Sequence, residues 1–262
     1  MEITMLGTRG SVPVNGSDYQ EFGGATTCVR VRTKDQGIYL DLGSGIVGAE
    51  CDDNRNISVL LSHAHLDHLI GLPFFHALTQ KNRSIDIFLK PRNSLSLRHI
   101  LQYLFTPPLW PVGIFDYPAD VHMHGITDNF KIGDVIVCTM EGNHPGGATV
   151  YRITSDNSSM VFATDYEHNT AIDKALIEFS KDCDLLIYDG QYSAEEYDSH
   201  RGYGHSTAEH GIEIARECNA SNLLITHHAP EHNDRVLTEM ELAAKKLYNN
   251  ISFARDGMKI VL

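Results

Sequence analysis

Three histidines and one aspartate lie within six positions, directly after the apolar run at residues 58–61. They are His63, His65, Asp67 and His68. Imidazole nitrogen and carboxylate oxygen are ligands that proteins use for Zn²⁺ and related divalent ions. A strand that ends here and turns into a helix can direct its last histidines to one position and the next two ligands to a second. Four ligands at this spacing favour two adjacent metal ions over one.

This stretch resembles the signature His-x-His-x-Asp-His of the metallo-β-lactamase superfamily. Leu66 inside the motif and Gly71-Leu72 after it are similar to the phosphodiesterase branch. That branch includes transfer-RNA 3′-processing nucleases and class II cyclic-nucleotide phosphodiesterases. The resemblance covers nearly the whole chain. It implies an α/β fold, an αβ/βα sandwich of two mixed β-sheets with outer helices, and metal ions at one edge between the sheets.

Three further candidate ligands each follow an apolar strand. His144 lies in a glycine-rich loop, Asp165 ends the run at residues 160–164, and His227 ends the run at residues 223–226. His228 is an alternative to His227, because neighbouring residues of a strand point in opposite directions. The pattern Leu-x-x-Thr-His favours His227. By resemblance, one metal ion is held by His63, His65 and His144, the other by Asp67, His68 and His227, and Asp165 bridges them.

Two other residues match catalytic positions of the branch. His205, in Gly-His-Ser-Thr, stands immediately before a predicted helix, and Asp189 ends the preceding strand. In the branch, a histidine in this stretch assists catalysis with an acidic partner. An imidazole hydrogen-bonded to a carboxylate stays protonated more easily and can protonate a leaving alkoxide. A helix-capping role is the alternative for His205. The resemblance also places Asp41 beneath the metal site, where spacing alone fits a simple turn equally well.

The elements that position these residues follow one another in two similar halves.

The proline-rich residues 106–111 cannot form a regular helix or strand. A surface loop pinned by Trp110 is favoured over a wall of the substrate cleft. We found no linker, repeat or low-complexity segment, which predicts one domain over residues 1–262. Apolar periodicity predicts strands at residues 2–6, 37–42, 58–62, 85–89, 148–153, 160–164, 184–188, 222–226, 251–253 and 258–262, a hairpin at 130–137, and helices at 67–80, 94–105, 171–181, 206–218 and 234–248.

The net charge of −13 counts against a long nucleic acid, because an acidic surface repels a phosphate backbone unless a local basic patch compensates. Two divalent ions would themselves add about +4 at the site. A solvated surface is the favoured interpretation of the basic residues Lys81, Arg83, Lys90, Arg92 and Arg98. We therefore expect a small phosphodiester substrate rather than a large nucleic acid.

The cysteines are odd in number and form no Cys-x-x-Cys pair, which favours reduced thiols and a cytoplasmic protein. We find no apolar run long enough for a bilayer and no signal peptide, so we expect no membrane association. The five cysteines are Cys28, Cys51, Cys138, Cys183 and Cys218.

The resulting hypothesis is a binuclear metal-dependent phosphodiesterase that cleaves a small, cyclic-nucleotide-type phosphodiester through a hydroxide bridging the two ions. Asp67, His205 and Asp189 are its predicted catalytic residues. Zn²⁺ suits the ligand set, and Mn²⁺ or Fe²⁺ fit it too. The alternatives are a transfer-RNA 3′-processing endoribonuclease, a thioesterase or lactone hydrolase of the same fold, and a nucleotide-binding module without turnover. The nuclease usually carries a basic, glycine-rich arm that this sequence lacks. Dimers occur in the branch, so a homodimer stays open.

Overall fold

Two β-sheets form the frame of the molecule. The structure is a computed structural model that describes residues 1–50, 56–92, 96–127 and 129–262; Cys51 and the predicted helix start at Ser94 lie outside the described residues. One sheet contains β1 (Glu2–Gly7), β2 (Cys28–Arg32), β3 (Gln36–Leu40), β4 (Asn56–Leu61), β5 (Ser84–Leu89), β6 (Asp120–Gly125) and β14 (Lys259–Val261). The other contains β7 (Phe130–Ile132), β8 (Val135–Gly142), β9 (Ala148–Ser155), β10 (Ser158–Ala163), β11 (Leu185–Asp189), β12 (Leu223–Thr226) and β13 (Ile251–Phe253).

Both sheets are mixed, and their parallel parts create a common edge. The strand orders are β14-β1-β2-β3-β4-β5-β6 and β13-β12-β11-β10-β9-β8-β7. Strands β3 to β6 run parallel, and so do β10 to β13. Parallel strands end at the same edge of a sheet, where α/β proteins commonly build their sites. The segments after β4, β10, β11 and β12 therefore meet at one end of each sheet.

The alternation of side chains along the strands explains how the layers pack. In β4, Leu60 belongs to the core between the sheets, together with Phe162 and Leu224 of the opposite sheet. Its neighbours Val59 and Leu61 face the other way and belong to the core beneath the outer segments. Successive residues of a strand point to opposite faces, so a strand covered on both faces is apolar throughout.

Five helices cover the sheets in the part of the chain that the structure describes. They are α1 (Leu97–Leu104), α2 (Thr170–Ser180), α3 (Ala194–Tyr197), α4 (Ala208–Glu217) and α5 (Asp234–Leu247). Side chains of Asn169, Thr207 and Asn233 accept backbone N–H groups at the starts of α2, α4 and α5. Such caps satisfy donors that a helix start leaves unpaired. The predicted sandwich of two mixed sheets with outer helices is confirmed.

The predicted helix at residues 67–80 is wrong. This segment forms three short 3₁₀ turns, Leu66–His68, Leu72–Phe74 and His76–Thr79. Its backbone pairs with the loop after β3 instead: Gly71 N–H donates to the carbonyl of Leu42 (2.9 Å), and Leu42 N–H donates to the carbonyl of His68 (2.9 Å). The helical spacing of apolar residues correctly indicated which side chains are buried. The backbone conformation, however, is determined by these tertiary hydrogen bonds.

The close contact between Gly71 and Gly43 makes a stability prediction. A Cβ at residue 71 would lie 2.0 Å from the carbonyl oxygen of Gly43. We expect Gly71→Ala to lower the free energy of unfolding by about 1–3 kcal/mol, because the backbone must move apart. Urea unfolding curves measure this difference.

The matched control is Gly125→Ala at the exposed end of edge strand β6, where the nearest atom belongs to the Pro91 side chain at 3.2 Å. We expect this variant to unfold near the wild-type midpoint. Equal destabilisation of both variants would contradict a special role for the contact at Gly71.

Candidate metal and catalytic site

The residues predicted as metal ligands lie together at the edge where the parallel strands end. His63 and His65 follow β4, Asp165 follows β10, and His227 directly follows β12. His144 comes from the loop between β8 and β9. The structure therefore brings together side chains that lie far apart in the sequence; His63 and His227 are 164 positions apart.

Among the described residues, the cluster contains five overlapping groups of three possible ligands, and two of these groups, which share no residue, are of special interest. Nitrogen and oxygen atoms of His63, His65 and His144 lie within 4.8 Å of one another, and the same holds for Asp67, His68 and His227. These are the two sets that the resemblance implied. Their roles as ligands remain predictions.

The carboxylate of Asp165 lies between the two groups. Its Oδ1 is 3.7 Å from His63 Nε2 and 3.3 Å from His227 Nε2, and its Oδ2 is 3.3 Å from His68 Nε2. The side chain is almost completely buried. One carboxylate oxygen thus faces both groups, which is the position needed to contact two neighbouring ions.

Two buried nitrogens test whether these residues fit a metal. Among the described residues, Nε2 of His63 and of His68 have no hydrogen bond of acceptable geometry, although carboxylate oxygens lie 3.2–3.3 Å from the latter. An unsatisfied buried polar atom costs about 1–3 kcal/mol. Burial also lowers the pKa of His63 well below its usual range, which keeps the ring neutral. Around His68 the balance is the reverse: burial lowers its pKa, but the carboxylates of Asp165, Asp67 and Asp41 raise it well above the usual value, so this part of the site attracts positive charge. Imidazoles and carboxylates that converge in this way fit divalent ions.

Asp41 orients two of the histidines. Its Oδ2 accepts from His68 Nδ1 (2.8 Å) and from the hydroxyl of Ser62 (2.8 Å), and its Oδ1 accepts from Ser62 N–H (2.7 Å). Because the Ser62 hydroxyl donates to Asp41, its oxygen accepts from Nδ1 of His63 at 3.0 Å. Both rings then carry their proton on Nδ1, and Nε2 is left as a free electron pair. Asp41 lies beneath the site, where the resemblance placed it.

The Nδ1 atoms of His144 and His227 also have acceptors, which sequence reasoning missed. His144 Nδ1 donates to the carbonyl of Gly204 at 2.9 Å. Thr27 donates its hydroxyl to the carbonyl of Arg9, so the Thr27 oxygen accepts from His227 Nδ1 at 2.9 Å. Ser11 was missed as well: its N–H donates to Asp67 Oδ2 at 2.9 Å. Nothing in the local sequence signals a pairing such as that of Thr27 with His227, 200 residues apart.

Four site residues have left-handed backbone conformations. The φ angles are +63° at Ser11, +59° at Asp41, +52° at Asp165 and +63° at His227. Residues other than glycine seldom adopt positive φ, and they cluster at functional sites where the surroundings hold them. Asp41 and His227 come directly after a strand, and Asp165 comes two residues after one, so the change of direction occurs where the chain leaves the sheet.

His205 and Asp189 form a buried pair beside the cluster. His205 Nδ1 donates to Asp189 Oδ2 at 2.9 Å, and the other Asp189 oxygen accepts from Ser206 N–H at 3.0 Å. Asp189 Oδ2 also accepts the N–H of Asp165 at 2.9 Å. Burial alone lowers the pKa of His205, but the adjacent Asp189 carboxylate raises it above the ordinary value. The His205 ring stacks on His227, with centroids 5.0 Å apart, so the pair borders the candidate metal site.

His227 and His228, left as alternatives by the sequence, occupy different environments. His227 lies in the cluster described above. His228 Nε2 donates to the carbonyl of Ala254 (3.0 Å), and the ring packs between Phe22 and Phe253. The geometry therefore places His227 in the site and His228 in the core.

A cavity of about 750 Å³ opens beside the first group of histidines. We call it the side cavity. Lys90 and Arg92 line it, although the sequence favoured a merely solvated role for them. Trp110 does not line it: the indole packs edge-on against Phe74 and Phe105, as expected for a pinned loop.

Among the described residues, no helix is long and apolar enough to cross a bilayer.

Comparisons with known proteins give a family for the chain and several similar folds. The family described as "Beta-lactamase superfamily domain" matches residues 49–228. Ribonuclease Z of Picrophilus torridus is 25% identical over 303 aligned positions, covering 98% of this chain and 94% of that protein. The metallo-β-lactamase fold protein YhfI from Bacillus subtilis has a TM-score of 0.75 at 20% identity, covering 99% of both chains. Human tRNase Z, short form, has a TM-score of 0.69 at 17% identity, covering 100% of this chain and 99% of that chain.

The hydrogen bonds of Asp41 predict an effect on metal affinity. We expect Asp41→Asn to weaken binding of Zn²⁺ by about 10–100-fold, because the amide no longer fixes the proton of His68 on Nδ1. Competition with a chromophoric chelator measures the affinity.

Asp86→Asn is the control, because Asp86 pairs with a histidine outside the site, His124, at 2.6 Å. Its affinity should match that of the wild type. If Asp41→Asn binds Zn²⁺ as tightly as this control does, Asp41 does not orient the ligand.

Proposed function

This chain belongs to the β-lactamase superfamily and is a metal-dependent hydrolase, and we propose that it is an endoribonuclease that processes the 3′ ends of transfer-RNA precursors. The observation that supports phosphodiesterase activity is the His205–Asp189 pair, which borders two groups of candidate metal ligands. Hydrolysis of a phosphodiester of RNA needs an acid for the leaving oxygen, whereas the thiolate that leaves a thioester has no comparable need.

Two divalent ions are proposed to bind the two ligand groups, where they supply an activated water and neutralise charge on the phosphate oxygens. Asp67 stays ionised: burial raises its pKa, but His68 and His227 lower it further, to well below the usual range. Asp67 can therefore hold its ion as a carboxylate. Two bound ions would lower the pKa of the attacking water, whose proton would pass to solvent. His205, kept protonated by Asp189, donates its proton to the leaving oxygen.

Likeness to proteins named Ribonuclease Z supports RNA as the substrate. The match to the Picrophilus torridus protein extends over nearly the full length of both chains. The sequence by itself favoured a small phosphodiester. The likeness to this relative supports a transfer-RNA precursor better than it supports a small phosphodiester. The proposal requires the bound ions, Lys90 and Arg92 to offset the net charge of −13 locally.

A small cyclic nucleotide is the second candidate. The acidic surface favours it, and so does the side cavity, whose volume of about 750 Å³ falls within the range of roughly 300–1,000 Å³ of small-molecule pockets. Zinc is the proposed ion for either substrate, since imidazole and carboxylate ligands suit it.

The first test compares the two substrates directly. Zinc-loaded protein is incubated with a transfer-RNA precursor carrying a 3′ trailer and, separately, with 3′,5′- and 2′,3′-cyclic nucleotides. We expect cleavage at the trailer junction, loss of cleavage after chelation with recovery on adding Zn²⁺, and activity at background for Asp67→Ala. Gel electrophoresis of the RNA and chromatography of the nucleotides give the products.

Hydrolysis of cyclic nucleotides with the precursor left intact would replace the first candidate by the second. Cleavage that persists in both the chelated protein and Asp67→Ala would exclude the metal-dependent scheme.

A second test isolates the role of His205. We expect His205→Ala to lower kcat by about 10²–10⁴-fold on RNA, whose leaving oxygen needs a proton. The loss on bis(p-nitrophenyl) phosphate should be much smaller, because p-nitrophenolate leaves without protonation. Single-turnover rates on both substrates measure the difference.

His124→Ala is the matched control, since that histidine lies on the edge strand β6 and pairs with Asp86. It should keep both rates. An equal loss of both rates in His205→Ala would show that His205 acts on structure or metal binding instead of as the acid.

A further inference from the structure

The side cavity lies next to the reacting centre, yet the chemistry proposed above does not use it. Its lining includes His63 and His65 of the candidate metal site and the segment 145–147. Helix α1 contributes Ile100, Tyr103 and other residues. The cavity is therefore within reach of a group attached to a phosphate at that site.

The lining of the side cavity is mainly apolar, with aromatic rings on the α1 wall. Leu97 and Leu101 of α1 are buried in the core, so the positions beside them face the cavity. His99 and Tyr103 are four residues apart and therefore share a face of the helix. The Tyr103 side chain is 76% exposed and is not engaged in the core. A ring in this position offers a flat surface to a ligand.

Cationic groups accompany the apolar lining. Lys90 Nζ lies 2.9 Å from one oxygen of Glu141, and Arg92 Nη2 lies 3.0 Å from the other. Arg92 Nη2 also donates to the hydroxyl of Thr149 at 2.9 Å, which holds the guanidinium in place. Two cations thus share one carboxylate, and none of the described residues lining the cavity is acidic. This local positive charge contrasts with the acidic chain as a whole and attracts phosphate.

We propose that the side cavity binds the nucleobase attached to the scissile phosphate, with Tyr103 as its stacking surface and with Lys90 and Arg92 near its phosphate groups. Every base has a flat π-face, so stacking on an exposed aromatic ring binds bases with little dependence on sequence. An acyl chain would use the apolar walls but has no use for the cations. This inference rests on the proposed function and gives it a specificity-determining residue, Tyr103.

The experiment compares two phosphodiesters that share a leaving group. Thymidine 5′-(p-nitrophenyl phosphate) carries a base, and methyl p-nitrophenyl phosphate does not. With zinc-loaded protein, we expect Tyr103→Ala to raise KM for the thymidine substrate by about tenfold relative to the methyl substrate. Tyr103→Phe retains the ring and should retain the wild-type ratio of the two KM values.

Leu109→Ala is the control for loss of an exposed apolar side chain, because Leu109 is 65% exposed and does not line the cavity. It should keep the wild-type ratio. An unchanged ratio in Tyr103→Ala would overturn the inference while leaving the proposed function intact. A wild type that hydrolyses neither phosphodiester would overturn the proposed function and the inference with it. A Tyr103→Ala effect seen only with p-nitrophenyl butyrate would assign the cavity to an acyl group and overturn the base-binding role.

Discussion

The structure depends on one constraint: four imidazoles are held through their Nδ1 atoms, and the buried Nε2 atoms of two of them, His63 and His68, have no hydrogen bond among the described residues. Asp41, the Ser62 hydroxyl, the Thr27 hydroxyl and the Gly204 carbonyl each accept from one Nδ1 atom. Each acceptor fixes a tautomer and a ring orientation at once. Because polar groups held out of water without partners are costly, the inward-facing nitrogens are stable only if another species completes the cluster. Divalent cations satisfy that requirement.

The anchoring carboxylates tie this site to both sheets. Asp41 follows β3 and receives bonds from the segment after β4, so it joins neighbouring strands of one sheet. Asp189 ends β11 and receives bonds from the backbone of Asp165 and Ser206, so it does the same in the other. Asp165 then faces histidines from both sheets. A displacement of one sheet relative to the other would therefore separate the two ligand groups, which links the packing of the sandwich to the site.

Charge is distributed unevenly around this centre. The chain is acidic overall, but the residues that line the side cavity include Lys90 and Arg92. Salt screens distant surface charges within about 8–10 Å, whereas a cation next to a reacting phosphate remains effective. Net charge consequently says little about the electrostatic potential at the site, which the local arrangement of cations and carboxylates sets.

The sequence alone determined the type of site, because three imidazoles and a carboxylate between residues 63 and 68, directly after an apolar run, are typical of a metal centre. It also indicated the two-sheet sandwich and the pair of His205 and Asp189. Tertiary structure decided the rest. The segment 67–80 forms 3₁₀ turns because its backbone bonds to the loop after β3, and Thr27 reaches His227 only through folding. Lys90 and Arg92 line a cavity together with residues of α1. The spacing of residue types along the chain predicts local features such as a ligand motif. Contacts between distant segments depend on how the two sheets bring their edges together, which local spacing does not show.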